Sequence, residues 1–318
     1  MNFSRLFLYP FDITFKRLKE ATSFFGYNPR PSFTAALSKI ALESETEKVK
    51  SQITYVSGDE SNMVQLLKSA RTGDSEVSHS IYQISPQDDE NRFLTQCSFD
   101  AVSRWALNVS LEEYEKRKAG AAIRFYHEIS GMAEAGQLRG HIFERQVLKY
   151  LDRIGAEITF PIRGLAASEE EKWTYPGRVK RYTFLEDSDF IEQMKTAVQN
   201  QTPLHLVPTA RNFAAVDSIL YDPNEGITCI QITINEDHAI TVSGLQRIQG
   251  WLGRDRRDLH GLRPAPEKPW RFIFIVPEEM EAGFGLQLLG GDETGIWARK
   301  VHQSVLGLDV LVRKPVPK

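Results

Sequence analysis

Asp217 and Gln231 are the residues of this chain whose types and spacing point to chemistry. They lie in NFAAVDSILYDPNEGITCIQITI, 212–234, which reads as two strands joined by the turn Asp222-Pro-Asn-Glu-Gly226. Apolar residues alternate on both sides of the turn, the period-two signature of half-buried strands. If Tyr221 and Ile227 close the loop, Asp217 stands opposite Gln231, and Thr233 follows one step along the same face. Directly opposed antiparallel residues have Cβ atoms about 4.5–5.5 Å apart, so a carboxylate and an amide oxygen are presented together. An Asp inside a strand is disfavoured and costly when buried unpaired; a bound cation is one way to offset it. Glu144, in GHIFERQVLKYLDRIGAEI, is a third acceptor. Mg²⁺ or Mn²⁺ would suit such oxygens, Mg²⁺ being held typically by one or two carboxylates with waters and substrate phosphates. The carbonyl of Ile232 would complete the set. A metal there activates water and neutralises charge developing on phosphorus, which suggests phosphodiester hydrolysis. Plainer roles stand beside these: Asp217 as the cap of a turn, Gln231 as its hydrogen-bond partner, Glu144 in an ion pair with Lys149.

The elements that must position these residues follow from periodicity. Phe143, Val147, Leu148 and Leu151 have helical spacing, with Gly155 as the stop. Glu144 shares a side with Leu148 and Leu151 and so points partly toward the core, whereas Arg145, Lys149 and Arg153 line the polar side. Residues 156–162 read as a strand. Residues 165–200 form an excursion with an acidic run at 168–172, a strand at 181–185 and a helix around 190–198. After the hairpin come a helix through Leu245, Ile248 and Leu252, the continuously apolar strand 271–276, expected to be covered on both faces, and a final strand 306–312. The expected fold is α+β, with a central mixed sheet flanked by helices and an N-terminal mainly helical region.

In that N-terminal region a helix through Phe15, Leu18, Ala21 and Phe24 should stop at Gly26, and a second should begin near Ser32. A short strand is expected at 52–56. Ser110-Leu-Glu-Glu113 fits a capping box opening a long helix, 111–135, with Gly120 inside it. This places a boundary near 110 and two regions, 1–110 and 111–318.

The formal net charge of −3 over 318 residues gives no overall basic footprint for nucleic acid, although a local basic groove is compatible with it. Arg247, Arg254, Arg256 and Arg257 are candidate phosphate contacts, interleaved with Asp255 and Asp258. Two cysteines, Cys97 and Cys229, form neither a zinc spacing nor a disulfide framework; Cys229 reads as a small core residue. No signal peptide and no apolar run of membrane length is visible. The expectation is an intracellular, including a nuclear, location without a membrane partner, and a homo-oligomer is compatible with it.

A Glu on a first helix, an Asp on one strand and [Glu/Gln]-x-Lys on the next is the pattern of the PD-(D/E)XK, or restriction-endonuclease-like, superfamily. Gly140-His-Ile-Phe-Glu144, Val216-Asp217, Gln231-Ile-Thr233 with His238, and Phe274-Ile-Val-Pro277 together resemble the nuclease-like domain of Crinkler and retrotransposon-hot-spot proteins over about 120–315. The resemblance implies a Mg²⁺- or Mn²⁺-dependent endonuclease acting on DNA, with metal at Glu144, Asp217 and Gln231. Thr233 stands where the superfamily has its water-activating lysine, and His238 is the natural substitute as general base or phosphate contact. The alternative is a catalytically degenerate nuclease fold that binds DNA or protein as an effector-like module. Phe25-Gly-Tyr-Asn-Pro-Arg30 resembles the tail of the family's NTPase region, where an arginine can sense nucleotide, but the chain has no G-x-x-x-x-G-K-[ST]. The resemblance therefore implies an NTPase module or partner outside this chain.

Overall fold

The computed structural model describes residues 13–26, 28–56, 82–86, 97–117, 120–132, 135–167, 169–209, 213, 215–253 and 257–311. They fall into two units, Met1–Ile142 and Phe143–Lys318. The division lies at 142/143, whereas the sequence placed a boundary near 110.

In the first unit, α1 (Phe15–Phe25) opens on Thr14, whose hydroxyl accepts the Arg17 N–H, and stops at Gly26. Gly26 has φ 61°, and a Cβ there would run into the carbonyl oxygen of Val102, so both backbone conformation and space require glycine. α2 (Pro29–Ala36) begins three residues before the expected Ser32, because proline at the first helical position loses no hydrogen bond and has its φ preset. α3 (Lys39–Val56) is one continuous helix; the strand expected at 52–56 is its last turn, with Val49 and Ile53 buried at i, i+4. β1 (Tyr82–Pro86) and β2 (Cys97–Ala101) pair antiparallel.

Two helices replace the long one expected over 111–135. α4 (Arg104–Arg117) starts at Ser103, whose hydroxyl accepts the Ala106 N–H at 3.0 Å. Ser110 is not a cap. It is buried inside α4 and its hydroxyl donates to Ala106 O at 2.8 Å, the back-bonding that lets serine sit within a helix. Gly120 takes φ 75° and precedes α5 (Ala121–Glu128), a left-handed conformation that no helix interior accommodates. α6 (Gly136–Asp152) carries the division between the units.

The second unit is α+β, built on a mixed eight-stranded sheet with helices on its faces. Its strands are β3 (Ile158–Gly164), β4 (Glu170–Tyr175), β5 (Lys180–Phe184), β6 (Leu204–Pro208), β7 (Ser218–Asp222), β8 (Gly226–Ile232), β10 (Trp270–Pro277) and β12 (Val301–Leu308). Their order is β4-β3-β12-β10-β8-β7-β6-β5. β6–β7–β8 is an antiparallel meander, whereas β8–β10 and β10–β12 are parallel. The acidic run at 168–172 extends into β4, and the last strand starts at Val301 rather than Leu306. α7 (Asp187–Asn200), α8 (Val242–Trp251) and the short α9 (Arg257–His260) complete the main elements, with β9 (Ile240–Thr241) paired to β11 (Leu289–Gly290).

The connection between β4 and β5 determines the curvature of this sheet. They are the two edge strands. Laid flat, seven strand spacings would separate them by about 34 Å, but the step from Tyr175 to Lys180 spans at most about 18 Å. The sheet therefore rolls until its edges approach. Accordingly, the Tyr175 hydroxyl reaches His205 Nδ1 on β6 at 3.4 Å, with their ring centroids 6.2 Å apart. α6 lies on this concave face: Tyr150 meets Phe160 at 6.4 Å and Asp152 pairs with Arg181 at 2.8 Å. On the convex face Ile219, Cys229, Phe272 and Phe274 form one core with Phe190 and Met194 of α7 and Leu245 and Ile248 of α8.

Candidate functional site

Tyr221 pairs with Ile227 and Ser218 with Ile230. This is the register expected from the hairpin, and Ser218–Ile230 is its last pair; Asp217 stands at the bend just before β7 and meets Gln231 through its side chain. The two strands differ from expectation in exposure. Every residue of β7 and β8 is buried, because both strands are interior to the sheet and covered on both faces. Asp217 is 9% exposed and Gln231 8%. Gln231 Nε2 donates to Asp217 Oδ2 at 2.7 Å, and the Ile232 N–H donates to the same oxygen at 2.8 Å. The Asp217 N–H in turn bonds Ile230 O at 2.9 Å. Two donors on one carboxylate oxygen favour the charged form and offset much of its desolvation. Cys229, on the same side of β8, is fully buried, and burial pushes its thiol up to about 12. It is the small core residue the sequence suggested.

Thr233 is buried immediately after β8. Its N–H bonds Ile275 O at 3.0 Å, extending the pairing to β10. Its hydroxyl accepts the Asn235 N–H at 3.0 Å and lies 3.4 Å from His238 Nδ1. His238 is half-buried, and burial lowers its pKa below the ordinary histidine value. Its imidazole is therefore mainly neutral at neutral pH, the form that can take up a proton.

Glu144 is 7% exposed on α6, in a run with Phe143, Val147 and Leu151 buried beside it, so the inward orientation expected of it holds. Arg145 and Gln146 are buried as well, which corrects the placement of Arg145 on a polar side. The structure thus brings Asp217 to Gln231, and Thr233 to His238, while Glu144 comes from a separate element. Among the described residues no group of three or more His, Cys, Asp and Glu side chains is placed to hold a metal ion.

Arg247, one of the candidate phosphate contacts, pairs with Asp187 at 2.7 Å and lies 5.1 Å over the Trp251 ring. Arg254 and Arg256 fall outside the described residues. In the first unit Arg30 lines a cavity of about 400 Å³ with Phe25, Asn28, Glu45 and Lys48, and Lys48 is paired with Glu45 at 3.6 Å. Among the described residues no helix is long and apolar enough to cross a membrane.

Gln287 and Gln303 escape sequence reading. Both are buried, and Gln287 Oε1 accepts the His238 N–H at 2.6 Å. The one signal is the alternation in Gly285-Leu-Gln-Leu-Leu289, which puts an amide between two leucines.

Comparison of the chain with protein-family models, with curated proteins and with solved structures finds no match.

Proposed function

We propose that the second unit is a restriction-endonuclease-like nuclease domain of the Crinkler and retrotransposon-hot-spot type, which hydrolyses DNA phosphodiesters with Mg²⁺ or Mn²⁺. The observation that carries this reading is the buried Asp217–Gln231 pair at the end of the β7–β8 register, followed two residues on by Thr233 and its contact with His238. The fold assignment is supported by the order α6, β3, the excursion β4-β5-α7, then β6, hairpin β7–β8, α8, β10 and the terminal strand β12, which is the helix, strand, insertion, hairpin, helix, strand order read from the residues.

The donor set fits a hard cation. Asp217 and Gln231 offer oxygen and no sulfur, and one carboxylate lies within the number Mg²⁺ ordinarily uses. These two residues would hold the ion, with waters and substrate phosphate completing its shell; α6, which carries Glu144, packs on the other face of the sheet from the side that Gln231 shares with Cys229. Bound there, it would supply neutralisation of charge on phosphorus and acidity of a bound water. The chain's own groups do the rest. The Gln231 and Ile232 N–H groups fix Asp217 in one orientation. His238, neutral and held against Thr233 through Nδ1, would take the proton of the attacking water in place of a lysine amine.

A second reading has its own observation. Gln231 and Ile232 already satisfy Asp217 through two N–H donors, so the pair is stable without a cation, as in a nuclease fold that binds DNA or protein and no longer cuts. Supercoiled plasmid incubated with the full chain and Mg²⁺ or Mn²⁺ distinguishes the two. Nicking that EDTA stops supports the nuclease. A retained gel shift with no nicking in either metal overturns it in favour of the binding module.

A further inference from the structure

We infer that Gln287 is a positioning residue for His238, and that Gln303 anchors Gln287 to the sheet. The inference rests on the nuclease reading for the reaction it serves, but its geometry is independent of that reading.

His238 lies in the connection between β8 and β9, where residues 235–237 are exposed. A short exposed connection does not by itself fix an imidazole. Gln287 supplies the constraint from 49 residues away. Its Oε1 accepts the His238 N–H at 2.6 Å, and its Nε2 donates to Glu236 O at 2.8 Å and Gly285 O at 2.9 Å. One planar amide thus holds the loop on both sides of Asp237. Gln287 is itself held by a second amide. Its N–H donates to Gln303 Oε1 at 3.0 Å, and Gln303 Nε2 donates to Gln287 O at 3.0 Å. Gln303 is on β12, in register with Phe272 of β10. The Ile240 N–H closes the far side on Leu288 O at 2.8 Å.

The exposure pattern shows what Gln287 is there for. Leu286 is 59% exposed and Leu288 80%, whereas Gln287 between them is 7% exposed. Apolar burial would favour the opposite arrangement. The amide is inside because of its bonds, and no other side chain of its size offers an acceptor and two donors in one plane. Glutamate keeps the acceptor and loses both donors; leucine loses all three.

The test uses the full chain and needs no activity. Imidazole and amide NMR signals of His238 are followed, with those of His205 as a reference in the same unit. Loss of a hydrogen bond of ordinary strength should speed His238 amide exchange about tenfold in Gln287→Leu, with a shift of its imidazole signals and none at His205. Gln303→Leu should reproduce this pattern, and the double variant should add nothing, since the two residues act in series. If wild type nicks DNA, kcat should fall about tenfold with KM unchanged, the mark of a group acting in the transition state alone. Unchanged His238 signals in Gln287→Leu overturn the inference. If that variant disturbs His205 as well, the near-isosteric Gln287→Glu takes its place: it keeps the acceptor for the His238 N–H and loses both donors, so the readout is the imidazole shift alone, a shift upholding the inference and unchanged imidazole signals overturning it. Shifted His238 signals without DNA cleavage by any chain uphold the clamp and overturn the nuclease reading.

Discussion

Asp217→Asn is expected to lower metal-dependent DNA nicking by at least about a hundredfold, the scale of removing one charged or preorganised group from an electrostatic site, while the chain melts close to wild type. The substitution isolates charge from structure. An asparagine oxygen can still accept from the Ile232 N–H and from Gln231 Nε2, which meet Asp217 Oδ2 at 2.8 and 2.7 Å. The change removes the negative charge and turns the second carboxylate oxygen into an amide N–H₂, while both named donors keep an acceptor. Asp217→Ala is the less informative change. It leaves two buried donors unsatisfied, at a cost of about 1–3 kcal/mol for each such group, so lost activity would be mixed with lost stability. Nicking rates and melting curves for the two variants side by side separate these effects. Equal nicking by wild type and Asp217→Asn would remove Asp217 from the chemistry.

The second large effect is on stability against pH. His205 on β6 is fully buried; burial, reinforced by the charge of Arg181, lowers its pKa to about 3. Tyr175 is its one hydrogen-bonding neighbour among the described residues, and Nε2 has no partner there. An unfolded histidine titrates near about 6.5. Between that value and about 3 the unfolded chain binds a proton that the folded chain does not. Stability is therefore fully present above the unfolded pKa and falls as pH drops through this window. Between pH ~7.5 and pH ~5 the loss from this residue should be about 2 kcal/mol. His205→Leu keeps the site apolar and removes the titration. Urea unfolding at both pH values should show the wild-type loss shrinking by about that amount in the variant. An identical loss in both chains would show that other groups govern acid sensitivity.

How much was legible from the residues differs by region, for physical reasons. The β7–β8 hairpin was legible because its register is local: one turn, Asp222 to Gly226, and the alternation beside it fix which residues oppose. α6, α8 and β10 were legible through strong apolar periodicity. The roll of the sheet was not. It depends on β4 and β5 joining opposite edges, a pairing pattern without a local signature. Serine misled the reading at 110, since Ser-x-x-Glu describes a cap only if the serine is outside the helix, and here its hydroxyl bonds back to Ala106. Gln287 could not be found because its partners, His238 N–H, Glu236 O and Gly285 O, are main-chain groups, which carry no residue type. The donors that meet Asp217 inside the chain were legible only in part: Gln231 was named beside it, but the second donor is the Ile232 main-chain N–H, which carries no residue type.

The nuclease reading stands on a divalent cation held at the Asp217–Gln231 pair. Titration of Mn²⁺ into the full chain at neutral pH, followed by the electron paramagnetic resonance of free Mn²⁺, tests it most directly. Wild type should remove Mn²⁺ from solution, and Asp217→Asn should bind it at least about tenfold more weakly, as expected when a charged oxygen ligand is neutralised. Equal Mn²⁺ binding by the two chains, or none by wild type, would contradict it.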